Sequence, residues 1–546
     1  MKNYIFTLQE TIKKRWDSNA LTTYKRETFT YGQLATHIAK FHLLFDHLQI
    51  GKGDKVAVCA KNSARWCISF FATTTHNTVV VPILADFHPD SINTLVDHSD
   101  SQALFVDHDI WDKLDITKMP KLKIVISCTD FSLLWAADKD IEQFYNNIEE
   151  AMVIKYPDHF GPKYVHYEAD LEDLAIINYT SGTTSAPKGV MLSYKALSAN
   201  CEYAQNKFPV ASQYKNLSIL PMAHMYGLVC EMLYVVCNGT EVVLLGKMPT
   251  PTLLMSALKD VKPILLITVP LVLEKIFKAA VLPKISTPTM KVLLKIPGIS
   301  HLILRTIRNK MLSAFGGNLY QIVLGGAALN PDVEHWLMKM HFPVTVGYGM
   351  TECAPLVAYE YPEKFVSKSC GIAIDCVKVR IDSEDAQKIV GEIQVTGPNV
   401  MMGYFKNPEA TKAAFTEDGW LKTGDLGLID AKGNIFIKGR CKNMLLSSNG
   451  QNIYPEEVEA ALNNVPNVVE SVVVEREGKL VGLVYLDPDF VTAHPLGSAE
   501  MVAYLQEAQS SVNKNMPAYS RLSKIEVKAE PFEKTPKMSI KRFMYK

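Results

Sequence analysis

Short aliphatic, β-branched runs alternate with helix-period segments along most of this chain, and that alternation restricts the fold to layered α/β architectures. Residues 53–60 read as a strand, residues 63–72 carry apolar positions at helical spacing, and residues 78–84 read as a second strand. The strand texture recurs at 104–106, 123–126, 217–220, 241–245 and 321–324. Strands separated by helices pair in parallel, so largely parallel sheets are expected. From about residue 370 the runs shorten and glycine-rich turns separate them, at 377–381, 391–395 and 434–438, which predicts a β-rich subdomain. After Gly439 a compact α+β unit is expected, with an acidic helix over Pro455–Leu462. The 546 residues are too many for one core. The predicted division is a large domain over 1–439 and a small one over 440–546, with the boundary at Arg440 to Lys442.

Charge excludes some functions. Lys+Arg and Asp+Glu both number 57, so nothing draws the whole chain to nucleic acid. The first ten residues lack the apolar core of a signal peptide. The longest apolar run, 264–273, is about half of the roughly 20 residues a bilayer span needs, and Pro270 interrupts it. Ten cysteines without a C-x-x-C pair suggest free thiols in a reducing cytoplasm, with neither a zinc site nor a disulfide framework.

The densest chemical signal is Tyr179-Thr180-Ser181-Gly182-Thr183-Thr184-Ser185-Ala186-Pro187-Lys188-Gly189-Val190. Glycine lets backbone amides turn toward a phosphate, hydroxyls add donors, and lysine adds a mobile positive charge. The glycine spacing is not that of a Walker A loop, and a polar surface loop is the other reading of such a cluster. Further along, Tyr348 in Gly347-Tyr348-Gly349 offers an aromatic face to a purine, and Glu352 is a hard oxygen ligand suited to magnesium. Asp425 has two acceptor oxygens for two ribose hydroxyls, and Arg440 has a planar donor fork. Each also has a plain structural reading: a surface acid, a turn-capping aspartate, an ordinary Gly325-Gly326 turn, and for His224 a satisfied core histidine.

Taken in order, these segments resemble the AMP-forming adenylate ligase superfamily, which includes acyl-CoA synthetases, peptide adenylation domains and beetle luciferases. The resemblance rests on 179–190, on Leu220-Pro-Met-Ala-His-Met-Tyr-Gly227, on Gly347-Tyr-Gly-Met-Thr-Glu352, on Gly419-Trp-Leu-Lys-Thr-Gly-Asp425, and on Gly439-Arg440 with Asn449-Gly450. It implies a carboxylate attacking MgATP to give acyl-AMP and pyrophosphate, then thioester formation with CoA. It assigns nucleotide contacts to Thr180, Ser181, Gly182, Thr183, Thr184, Lys188, Gly325, Gly326, Ala327, Tyr348, Gly349, Thr351, Asp425 and Arg440. Lys188, Thr184, Glu352 and His224 become catalytic candidates, with Glu352 on the metal. A small C-terminal domain swinging about Lys442 is implied, with Gly450 leaving room for the pantetheine arm.

The chain departs from the family pattern near its end. Ser539 falls where the family has a lysine bridging the acyl carboxylate and α-phosphate. A full charge about 4 Å from the reacting phosphate is worth roughly 4 kcal/mol, or about three orders of magnitude in rate. Lys537 and Lys541 stand two residues to either side and are equal candidates to take its place. Residues 201–239 contain no aspartate, which disfavours an amino-acid substrate. Between 281 and 310 lie Lys284, Lys291, Lys295, Arg305, Arg308 and Lys310 with no acid, interleaved with Val, Leu and Ile. Such a segment is either a solvated helix face or a peripheral contact with an anionic membrane. The chain looks most similar to bacterial long-chain fatty acid CoA ligases. The alternatives are a medium-chain or aryl-acid CoA ligase, an acyl-ACP synthetase using a carrier protein, and a nucleotide- or acyl-binding protein impaired in adenylation.

Overall fold

The computed structural model describes residues 1–180, 188–208, 212–446, 452–476, 478–514, 516–535 and 540–545. Its largest sheet has eight strands, in the spatial order Gly403–Tyr404, Lys188–Ser193, Leu174–Thr180, Val79–Pro82, Lys55–Cys59, Ser101–Val106, Ile124–Ser127 and Leu133–Ala136. Alternate residues of the central strands serve two different cores. Val56, Val58, Val80 and Phe105 face one apolar cluster, while Ala57, Cys59, Val81 and Leu104 face the other. Burial on both faces explains why these strands are continuously apolar in sequence. The helices Tyr31–His47 and Ala64–Thr75 are fixed at their starts by side-chain caps from Thr30 and Ser63. Each cap satisfies an amide that the first helical turn leaves without a partner.

The expectation of largely parallel pairing holds in the centre of this sheet and fails at its margins. Lys55–Cys59 pairs in parallel with Val79–Pro82 and Ser101–Val106. Lys188–Ser193 runs antiparallel to both Leu174–Thr180 and Gly403–Tyr404, and Leu133–Ala136 runs antiparallel to Ile124–Ser127. A hairpin needs only a short tip, whereas a parallel pair needs a crossover. Buried apolar strands read the same in either direction, so sequence cannot separate the two cases.

Three parallel strands form a separate sheet, in the order Leu265–Thr268, Gln321–Leu324 and Val344–Val346. Their carboxyl ends lie at one edge, where the Gly325 amide donates to Thr268 O at 3.1 Å and the Gly347 amide to Leu324 O at 2.8 Å. Open α/β sheets bind ligands at such an edge. Beyond residue 370 the sheet Lys378–Asp382, Gly391–Thr396, Leu421–Ile429 and Ile435–Arg440 is wholly antiparallel. The principal core reaches Ile435, and a distinct apolar cluster begins with Ile453. Between them Lys442 is exposed in a turn. The second cluster lies under the three-stranded sheet Val468–Arg476, Lys479–Leu486 and Leu522–Val527, beside the helices Pro455–Leu462 and Ala499–Lys514. All ten cysteines are free thiols, and eight of them are buried. No helix among the described residues is long and apolar enough to cross a membrane.

Candidate active site

The hydroxyl- and glycine-rich run joins two antiparallel strands in the register Thr180↔Lys188 and Tyr179↔Gly189. Ser181, Gly182, Thr183 and Thr184 lie outside the described residues, but both bases of the hairpin are fixed. The Thr180 hydroxyl donates to Lys188 O at 3.4 Å, and the Tyr179 hydroxyl lies 2.7 Å from His98 Nδ1. Gly189 has no room for a side chain, because a Cβ there would stand 2.8 Å from Ile177 and 3.3 Å from Phe405. Packing therefore dictates the glycine after the lysine, whatever the loop binds.

Lys188 and Glu352 meet through a residue the sequence reading passed over. The Tyr404 ring lies 4.8 Å from the Lys188 ammonium, within cation–π range, and the Tyr404 hydroxyl donates to Glu352 Oε1 at 3.0 Å. Burial, reinforced by the Glu352 carboxylate, pushes the Tyr404 phenol upward, so it stays a proton donor. Pairing of Tyr404 with Val190 sets the tyrosine beside the hairpin. Glu352 sits in the short turn Thr351–Cys353, and the described residues contain no group of three or more His, Cys, Asp or Glu side chains placed to hold a metal. A lone carboxylate fits magnesium held mainly by substrate phosphates and water.

A second cluster joins three of the motif segments. Asp425 and Arg440 are cross-strand partners, and Arg440 Nε donates to Asp425 Oδ1 at 2.8 Å. The Tyr348 hydroxyl donates to Asp425 Oδ2 at 2.6 Å. Gly424 takes a φ of 72°, a conformation that favours glycine, and thereby turns the buried Asp425 toward its partners. Burial raises the Asp425 carboxyl above its usual range, against the lowering pull of Arg440 and Tyr348. The aspartate that sequence offers to two ribose hydroxyls thus already holds one protein donor on each oxygen. Tyr348 is only 7% exposed, which leaves little of its ring as an open platform.

At the carboxyl edge of the three-stranded sheet, Gly325, Gly326 and Ala327 follow one strand and Gly347 to Gly349 another. A Cβ at Gly325 would come within 2.9 Å of the Tyr226 ring, whose hydroxyl donates to Val323 O at 3.1 Å. A Cβ at Gly349 would overlap the Pro355 carbonyl. These glycines are required by close approach within the protein itself.

The segment bearing His224 is stitched from three sides. Asn178 Nδ2 donates to Ala223 O at 2.8 Å, and Asn62 contacts Leu220 O at 2.6 Å and the Met222 amide at 2.9 Å. The third tie is Glu231, fully buried in the π-helical turn Leu228–Leu233. It accepts from Ser218 Oγ at 3.0 Å, the Ile219 amide at 3.1 Å and the Leu220 amide at 3.0 Å. Burial pushes its carboxyl up to about 8. Its mark in the sequence is a single acid, a glutamate and not an aspartate, within the apolar run 228–237. Glu231 is committed to these donors, so it does not supply the ammonium partner an amino acid would need.

The terminal lysines are placed unequally. Lys541 donates to Glu533 Oε1 at 2.6 Å, and the residue 541 amide to Glu533 O at 2.8 Å. Lys537, Ser539 and Gly450 lie outside the described residues.

Residues 8–405 match the family described as AMP-binding enzyme, and residues 442–545 match that described as AMP-binding enzyme C-terminal domain. The probable acyl-activating enzyme 16, chloroplastic, of Arabidopsis thaliana is 26% identical over 531 residues, covering 84% of this chain and 73% of its own length. The long-chain-fatty-acid–CoA ligase 6 of Mus musculus is 28% identical over 479 residues, covering 82% and 67%. Among solved structures, the O-succinylbenzoate coenzyme A synthetase of Bacillus subtilis, in complex with ATP and magnesium ion, superposes with a TM-score of 0.74 at 22% identity, covering 100% of this chain and 99% of that one.

Proposed function

Since the chain belongs to the AMP-binding enzyme family, we propose that it is an AMP-forming ligase that activates a fatty acid, long-chain in our reading, and transfers it to CoA. In the first step a carboxylate oxygen attacks the α-phosphorus of ATP, the α–β phosphoanhydride bond breaks, and pyrophosphate leaves. In the second the CoA sulfur, as thiolate, attacks the acyl carbonyl, a C–S bond forms, the C–O bond to AMP breaks, and AMP departs. Most of the protein's work is alignment and charge neutralisation.

The observation that carries this reading is the meeting of Tyr348, Asp425 and Arg440. Three separate motif segments converge on one carboxylate suited to ribose hydroxyls. In this reading the 180–188 hairpin holds the β- and γ-phosphates, with Thr184 and Lys188 nearest the reacting group. Gly325, Gly326 and Ala327 border the nucleotide and the acyl carboxylate, with Gly349 and Thr351 on the nucleotide side, and His224 lies beside the acid. Glu352 would hold magnesium, which when bound supplies positive charge between the phosphates. The domains divide at 440–442 and turn about Lys442, and Gly450 opens the path for pantetheine. Lys541 or Lys537 supplies the charge absent at Ser539.

The test is CoA-dependent AMP release with MgATP and a graded series of saturated fatty acids plus benzoate, with ATP–pyrophosphate exchange in parallel. The expected outcome is turnover rising to long chains, lost when both lysines are replaced by Ala. A maximum at benzoate would favour an aryl-acid ligase, in line with the fold shared with the O-succinylbenzoate enzyme. Exchange without CoA turnover would favour a carrier-protein acceptor, and no exchange with any acid would sink the ligase reading.

A further inference from the structure

We propose that the surface built from residues 282–302 docks on an anionic phospholipid bilayer. The proposal deepens the fatty-acid reading by naming where such a substrate is collected. Between Leu282 and Ile299 only Ile285 and Leu294 are buried, although this stretch is rich in large apolar side chains. Val292 is 62% exposed, Leu302 66%, Ile299 42% and Ile296 41%. These residues sit on and between the short helix Pro288–Leu293 and the longer helix Ile299–Ala314. Exposed singly such residues are ordinary; grouped on one surface they mark an interaction face.

The charges around them have one sign. No Asp or Glu occurs from 275 to 331, while Lys284, Lys291, Lys295, Arg305, Arg308 and Lys310 do. In a chain with equal numbers of acids and bases, this is a strong local excess. On the longer helix Ile299, Leu302 and Arg305 follow at three-residue spacing and share one row, whereas the buried Leu304 and Met311 anchor the opposite side. Exposed apolar side chains that can enter the acyl boundary, with Lys284, Lys291, Lys295, Arg305 and Lys310 exposed in the same stretch to meet lipid phosphates, are the chemistry of a peripheral membrane contact. The exposed apolar residues are spread over one short helix, the turn after it and the start of the longer helix, which suits a fluid surface better than a shaped protein partner.

The helix Pro270–Ala280, which packs against Leu282–Ile285, starts beside the candidate acyl site. Val269 would lie 3.9 Å from a Cβ at Gly326, and the helix beginning at Pro270 carries Leu271, 53% exposed, to the surface.

The experiment is flotation of the full chain with vesicles of phosphatidylcholine alone and of phosphatidylcholine containing about one third phosphatidylglycerol. The expected result is at least about tenfold more protein on the anionic vesicles, released by high salt. The pairs Lys291→Glu with Lys295→Glu, and Val292→Asp with Leu302→Asp, should each lower binding by about tenfold. Both pairs should keep the wild-type melting temperature and the wild-type rate on a freely soluble acid. Equal recovery on both vesicle types, no recovery on either, or unchanged binding by both folded pairs would overturn the proposal. So would a wild-type dimer that the pairs dissolve, because the face would then belong to a second copy. Vesicle binding is read without ATP or acid, so its failure and failure of the ligase reading are separate results.

Discussion

The Tyr404 hydroxyl donates to Glu352 Oε1 at 3.0 Å, and Met401 secures the same glutamate by donating its amide to the Glu352 carbonyl at 2.8 Å. Because the ring also lies 4.8 Å from the Lys188 ammonium, one side chain links the base of the hydroxyl-rich hairpin to the acid proposed for magnesium.

Replacement of Tyr404 can separate those two contacts. Tyr404→Phe removes only the hydrogen bond to Glu352, and bonds to charged groups contribute about 1.5–3 kcal/mol. With the site half open to solvent, the expected result is an approximately tenfold fall in kcat/KM for ATP. It should come with a higher magnesium requirement. Tyr404→Leu also removes the ring and should raise the KM for ATP further. Pyrophosphate exchange across a magnesium series checks both, and an unchanged magnesium dependence in Tyr404→Phe would break the link.

Asp425→Asn should weaken ATP binding by about two orders of magnitude, equivalent to roughly 2.7 kcal/mol. Its effect on stability should be slight. Burial holds the folded carboxyl above its usual range, so ionisation costs the folded state more than the unfolded one. The neutral isostere avoids that cost, and this offsets the acceptor it loses toward either Tyr348 or Arg440. Nucleotide titration by calorimetry, alongside a thermal melt, distinguishes this from simple unfolding.

Glu231 predicts a pH dependence with a definite sign. Its carboxyl titrates near 8 in the fold against 4.5 ordinarily, so between those values the folded state holds a proton the unfolded chain has released. Stability therefore falls as pH rises across that window, by up to about 1.4 kcal/mol per unit, and levels off above it. Glu231→Gln should flatten the melting-temperature profile between pH 5 and 8. It should also lower activity, because an amide cannot accept from all the donors that hold residues 218–220. A profile identical to wild type would show that this carboxyl is not the titrating group.

Titration of native protein with a thiol reagent should find Cys376 and Cys441 reacting first, with the eight buried thiols appearing only on unfolding. Burial pushes both of these upward as well, each to about 11, so even they should react slowly at neutral pH. Fast labelling of a third thiol would contradict the burial described here.

The strands and the order of the motif segments were legible because backbone period and local composition are properties of neighbouring residues. Residues 391–395, read as a short strand between glycine-rich turns, lie in the strand Gly391–Thr396, and the acidic helix occupies Pro455–Leu462. Tyr404 was not legible, because its two partners, Lys188 and Glu352, come from segments far away in sequence. Glu231 was visible as a lone acid in apolar company, but its purpose depends on amides in a different element. The antiparallel margins escaped for a third reason: strand direction leaves no mark on a buried apolar run.

An acyl-adenylate is an electrophile that any nearby thiolate would capture, and this chain keeps two cysteines next to its nucleotide-contact candidates, Cys353 after Glu352 and Cys441 after Arg440. Burial raises the first far above its normal range and the second to about 11, and in both cases the Asp425 carboxylate adds to the effect. Burial above all, with Glu352 beside the first thiol, Glu392 beside the second and Asp425 near both, keeps the protein's own sulfur protonated. In the proposed reaction these two thiols are therefore poor competitors for the reactive ester, which is left for the thiol that arrives from outside.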